Sequence, residues 1–111
     1  MTATANEHYS AASRSTAFDI IGDLDATGGK RVRNSIAAAI QAGRVDVTVN
    51  LDRVGFLDSS GLASLISSLR LARDKGGDVR VETSNARIRR VLEVTSLARV
   101  FKLQPAGDVA A

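Results

Sequence analysis

The sequence of 111 residues contains no cysteine, no tryptophan, one proline, one histidine and only four tyrosines and phenylalanines together. Without cysteine there is no disulfide framework, no zinc ribbon, no redox pair and no cysteine nucleophile. The single histidine, His8, rules out a histidine-rich metal site and leaves a Ser-His-Asp triad one possible base, in a weakly patterned leading segment. No apolar run approaches the roughly 20 residues that span a bilayer, and Met1 to Ser15 has neither the basic start nor the apolar centre of a signal peptide. These absences imply a cytoplasmic protein without membrane insertion.

The excess of one charge over the other is small as well: 15 basic and 12 acidic side chains leave a net charge of +3. Residues 1–55 hold six basic and six acidic side chains, and residues 56–111 nine and six, so the excess lies in the second half. Arg87, Arg89, Arg90 and Arg99 could form a basic face. Without interleaved aromatics or a nucleic-acid motif, a solvated helix face is the simpler account, and no direct nucleic-acid contact is expected.

What is present suits one domain, because 44% apolar residues over this length supply a single core. Residues 1–15 read as a poorly ordered start or a weak edge strand, 16–104 as the domain and 105–111 as a flexible tail. Thr16 to Ile21 suits a strand closing at Gly22, with Gly22-Asp23-Leu24-Asp25 as a polar corner. Val32, Ile36, Ala39 and Ile40 keep the helical period, with Gly28 and Gly29 expected before the first full turn and Thr27 or Asp25 as the cap.

Val45, Val47, Val49 and Leu51 alternate with Asp46, Thr48, Asn50 and Asp52, the clearest strand in the chain. Val54, Phe56 and Leu57 add an apolar step before Asp58-Ser59-Ser60-Gly61. Leu62, Leu65, Ile66, Leu69 and Ala72 then mark one helical face, with Ser64 and Ser67 falling outside it, up to Gly76-Gly77. Asp78 to Thr83 predicts a further strand, Ser84 or Asn85 caps a helix carrying Ile88, Val91 and Leu92, and Leu97 to Leu103 fits a last short strand. The expected fold is α/β: a small mixed sheet of about four or five strands, antiparallel only where the first two adjoin, packed with three or four helices.

Enzyme motifs are missing. Residues 55–59, Gly-Phe-Leu-Asp-Ser, lack the G-x-S-x-G spacing of a hydrolase elbow, and neither phosphate-cradling glycine motif occurs. Asp23 and Asp25 flank Leu24 in the manner of turn and cap residues. At Asp58-Ser59-Ser60-Gly61, capping alone accounts for the residue types. A phosphate on a cap serine would also be tolerated at a helix start, while a docking partner would meet its charge beside Asp58.

Gly22-Asp23-Leu24-Asp25, residues 47–52 leading through Phe56 and Leu57 into Asp58-Ser59-Ser60-Gly61-Leu62, Gly76-Gly77 before a strand, and Ile88-Arg89-Arg90-Val91-Leu92 followed by Leu97 and Phe101 occur in a specific order. From about Phe18 to Leu103 this order resembles the bacterial anti-sigma factor antagonists, the stand-alone members of the STAS (sulphate transporter and anti-sigma factor antagonist) domain family. The resemblance implies a binding module that catalyses nothing and needs no cofactor. Its phosphorylated serine would be Ser59, with Ser60 the alternative acceptor.

The implied partners are an anti-sigma factor that is also a serine kinase, bringing ATP and magnesium, and a serine/threonine-type phosphatase that resets the switch. The implied partner-binding residues are Asp23, Asp25, Asp58, Ser59, Ser60, Gly61, Leu62 and Ser64. A second reading from the same family is an accessory subunit of a membrane transport system, in which Ser59 need not be modified. A small hydrolase using Ser59 or Ser60 has no base positioned by sequence.

Overall fold

A computed structural model describes residues 1–106. The elements run β1 (Thr4–Ser10), β2 (Ser15–Leu24), α1 (Ala26–Gln41), β3 (Asp46–Leu57), α2 (Ser59–Asp74), β4 (Asp78–Glu82), α3 (Ala86–Val94) and α4 (Leu97–Val100). The four strands lie side by side in chain order, β1-β2-β3-β4. β1 is antiparallel to β2, and β2, β3 and β4 are mutually parallel. The mixed α/β sheet expected from the alternation is what forms.

Alternation sets which face is apolar. Phe18, Ile20 and Leu24 of β2, Val47, Val49 and Leu51 of β3, and Val79 and Val81 of β4 are all buried, while the side chains that alternate with them, such as Asp19, Ile21, Asp23, Thr48, Asn50 and Arg80, are half-buried or exposed. Val32, Ile36, Ala39 and Ile40 of α1 and Leu65, Leu69 and Ala72 of α2 join the same core, together with Ile88, Leu92 and Phe101. Two irregularities in the β2–β3 register, between Asp19 and Ile21 and between Gly22 and Asp23, break the strict alternation of β3. The first moves the inward position from Leu51 to Val54; the second brings Leu57 opposite Leu24 and turns Phe56 outward, where it is 52% exposed.

The leading segment forms an edge strand, β1, paired residue for residue with β2 from Thr4↔Ile21 to Ser10↔Ser15. Its outer end is clamped: Arg44 donates to Glu7 through Nε (2.6 Å) and Nη2 (3.0 Å), Thr16 Oγ1 donates to Glu7 at 2.6 Å, and the Arg44 guanidinium lies 5.6 Å from the Tyr9 ring centre. Gly22, Asp23 and Leu24 belong to β2 and form no polar corner; Leu24 is fully buried. Gly28 and Gly29 sit within the first turn of α1 and do not precede it, because packing overrides propensity where no side chain would fit.

Leu97 to Leu103 is not a strand. Leu97 and Phe101 are joined as a helical turn, Phe101 N–H donating to Leu97 O at 2.9 Å, which buries Phe101. Lys102 at φ 49 then turns the chain along the outer edge of β4, where Glu82 and Gln104 form a bridge. Val81 N–H donates to Phe101 O, Gln104 N–H to Val81 O and Thr83 N–H to Gln104 O, so this sheet edge is covered. The expected tail begins at 105, and its residues 107–111 lie outside the described residues.

Two carboxylates make the fold sensitive to acid. The hydrogen bond from Arg44 holds the Glu7 carboxyl below its usual value, against a smaller opposing effect of burial, with Thr16 assisting. Burial pushes the Asp78 carboxyl up, but Lys102 at 2.7 Å, the Val79 N–H and Arg73 together outweigh it and leave it lowered. A depressed folded value contributes stability that is complete above the unfolded carboxyl pKa of about 4 and is lost as pH falls through the folded value. Urea unfolding between about pH 5 and pH 3 should therefore show a steeper loss of stability for the wild type than for the Glu7→Gln/Asp78→Asn double variant; parallel curves would refute the assignment.

Candidate functional site

Strands β2 and β3 end in register, Leu24 opposite Leu57, and each passes directly into a helix. The residue after each leucine is an aspartate with extended backbone that caps the helix: Asp25 Oδ1 accepts from Gly28 N–H at 2.8 Å, and Asp58 Oδ1 accepts from Gly61 N–H at 3.0 Å. Each such cap stabilises its helix by about 1 kcal/mol. Thr27 is therefore not the cap of α1, and the aspartates fix both corners at one end of the sheet.

The corners share a construction down to their glycines. A Cβ on Gly28 would collide with the carbonyl oxygen of Asp23, and one on Gly61 with that of Leu24. Both helices therefore begin pressed against the end of β2. The Leu24 carbonyl also accepts from Asp58 N–H at 3.3 Å, tying the second corner to the first. The signal for this is legible as a repeat, G-x-L-D-x-x-G, spanning Gly22 to Gly28 and again Gly55 to Gly61. Reading it would have chosen Asp25 as the cap and put Gly28 inside α1.

At the second corner Ser59 and Ser60 are both exposed. Asp58 occupies the Gly61 N–H with its side chain and the Leu62 N–H with its carbonyl (3.0 Å), leaving the Ser59 and Ser60 N–H groups at the open end of α2. Ser60 O accepts from Ser64 Oγ at 3.1 Å; the Ser59 hydroxyl has no hydrogen-bond partner among the described residues. The site as assembled is an exposed hydroxyl flanked by a cap carboxylate at a helix start.

The other expected residues divide by burial. Asp25 and Asp58 are half-buried in their caps, and Asp23 pairs with the Met1 amino group at 3.2 Å. Gly61 is buried, and Leu62 is half-buried against the core. Ser64 is not on an outward face: its Oγ lies 2.5 Å from where a Gly29 Cβ would stand, so α1 and α2 meet there through small residues. Ser67 is exposed.

A protein-family model described as Mlab, STAS domain, matches residues 7–105. The anti-sigma F factor antagonist of Paenibacillus polymyxa is 32% identical over 88 residues, covering 78% of this chain and 73% of that protein. The anti-sigma-B factor antagonist of Bacillus subtilis is 22% identical over 90 residues, covering 81% and 82%. Among solved structures, an anti-sigma factor antagonist from Mycobacterium paratuberculosis is similar with a TM-score of 0.82 at 21% identity, covering 96% of this chain and 89% of that one. The Bacillus cell fate determinant SpoIIAA in its phosphorylated form is similar with a TM-score of 0.71 at 20% identity, covering 95% and 93%. The structural likenesses show a shared fold; with the family model spanning nearly the whole sequence, the chain belongs to the STAS domain family.

Proposed function

We propose that the protein is an anti-sigma factor antagonist that binds its anti-sigma factor when Ser59 is unmodified and releases it when Ser59 carries phosphate. The names of its relatives support the antagonist role, and the phosphorylated form known for SpoIIAA supports a switch of this kind. The single observation that carries Ser59 is its position: exposed, first in α2, and unused by any hydrogen bond among the described residues. A phosphoryl group there displaces no structural contact. The anti-sigma factor acts as the serine kinase, transferring the γ-phosphoryl group of magnesium ATP to the Ser59 hydroxyl. A serine/threonine-type phosphatase removes it, and the chain itself catalyses neither step.

Binding is carried by the surface around Asp25, Asp58, Ser59 and Ser60, the exposed part of the two corners. Added phosphate places a dianion beside Asp58 and at the same sheet end as Asp23 and Asp25, so a docked partner meets clustered negative charge. The test is incubation with the cognate anti-sigma kinase and ATP, followed by mass-spectrometric mapping. Wild type should gain one phosphate on Ser59 and Ser59→Ala none. Phosphate on Ser60 would move the switch by one residue, and phosphate outside the corner, or a partner complex that never phosphorylates the chain, would refute the switch.

A further inference from the structure

The β3 irregularity that turns Phe56 outward has a neighbour on α3. Arg87, Arg90, Val91 and Val94 fall at the i, i+3, i+4, i+7 spacing of one helical face, beside the buried stripe of Ile88 and Leu92. Val94 is 73% exposed and Phe56 52%. Two depressions of about 270 and 330 Å³ adjoin there, the first lined by Phe56 and Leu57 as well as α3, the second by Arg90 and Val94, and both by Arg87 and Val91. Together they form a groove that starts two residues before Asp58 and runs along α3.

The charge on its rim says what it takes. Arg89 is engaged, donating to Thr83 O at 3.3 Å, but neither Arg87 nor Arg90 has an acidic partner among the described residues. An apolar floor between two free guanidinium groups is complementary to a segment with apolar side chains on one face and carboxylates on its flanks. An amphipathic helix presents both at once. We infer that this groove docks an acidic amphipathic helix of the anti-sigma factor, next to the serine that factor modifies. The inference rests on the proposed function for its partner, but its physical content is independent of phosphorylation.

The groove gives the partner a hold that phosphate at Ser59 does not touch. The kinase therefore engages α3 and the Phe56 end of β3 while its active site reaches the first turn of α2. Contact at the groove supplies apolar burial, and the two arginines set the direction of approach.

The test uses two labelled peptides designed as amphipathic helices, one of leucine and glutamate and one of leucine and lysine, titrated into the full chain and into Ser59→Ala. Fluorescence anisotropy gives affinity, and amide resonance shifts give the location. The acidic peptide should bind both proteins equally and at least about tenfold more tightly than the basic one, with shifts at Phe56, Leu57, Val91 and Val94, weakening as salt is raised. Arg87→Glu/Arg90→Glu should invert the preference, and Phe56→Ser/Val94→Ser should weaken the acidic peptide at least about tenfold without lowering the melting temperature. Equal binding of the two peptides, shifts elsewhere, or no binding would overturn the groove whatever the fate of Ser59. The acidic peptide seated in the groove, together with no phosphate on Ser59 after incubation with the cognate kinase and ATP, would overturn the switch alone.

Discussion

Gly61→Ala is expected to destabilise the protein by about 3 kcal/mol, although alanine is intrinsically the better helix former by about 1 kcal/mol. The added methyl would collide with the carbonyl oxygen of Leu24 and lie 2.8 Å from its carbonyl carbon and 2.9 Å from its Cβ. These are mainly backbone atoms of a buried strand end, so no change of rotamer relieves them. Either the first turn of α2 lifts off β2 or β2 yields, and both movements loosen the Asp58 cap and the core beneath it. Gly55 is the internal control: it lies on β3 just before the same corner, and a Cβ there meets only the movable Asp23 Oδ1 at 3.3 Å. Urea unfolding should place Gly55→Ala near wild type and Gly61→Ala far below it. Equal stability of all three would show that the close approach at Leu24 carries no weight.

Ser59→Glu should lower affinity for the anti-sigma factor about a hundredfold, equivalent to about 2.7 kcal/mol, and leave the melting temperature unchanged or slightly raised. The two halves have separate causes. For stability, the side chain is exposed and free, and a carboxylate in the first turn of a helix gains up to about 1 kcal/mol from the N-terminal dipole. For binding, the new charge joins Asp58 on a surface that a partner must dehydrate, where unpaired like charges are costly. Calorimetric titration of wild type, Ser59→Glu and the phosphorylated protein against the anti-sigma factor, alongside thermal melts, reads both. Equal affinities would eliminate the switch, and an affinity loss accompanied by a matching fall in melting temperature would reduce it to a folding defect.

Much of the architecture was legible because period and burial coincide. Val47, Val49 and Leu51 of the alternating run became the buried row of β3, with Val45 half-buried just before the strand, and the α1 positions Val32, Ile36, Ala39 and Ile40 all reached the core. What sequence patterns hid were departures from a fixed period. Register slips made Leu57 an inward residue and Phe56 an outward one, which no alternation could announce. The glycines of α1 looked like helix breakers because propensity carries no information about the Asp23 carbonyl they must clear. Residues 97–103 were too short an apolar run for strand and helix to be told apart, and in the structure they form a helical turn bounded by positive φ values at Ser96 and Lys102. At the site, the capping chemistry of the Asp58 corner was readable from the residues themselves, whereas Ser59 was singled out only by the family resemblance. The α3 face was not, since Val91 and Val94 look like ordinary core spacing until Phe56 is seen beside them.

The strand order of the sheet bears on how the protein is made. Each strand neighbours the one synthesised just before it, so no strand waits for a later segment to find its first partner. Every group that builds the Ser59 corner, from the Leu24 carbonyl through the Asp58 cap to the helix that follows, has left the ribosome by Asp74. The surface that reports the phosphorylation state can thus be assembled before β4 and the residues that seal its edge arrive, which makes it an early product of folding during synthesis.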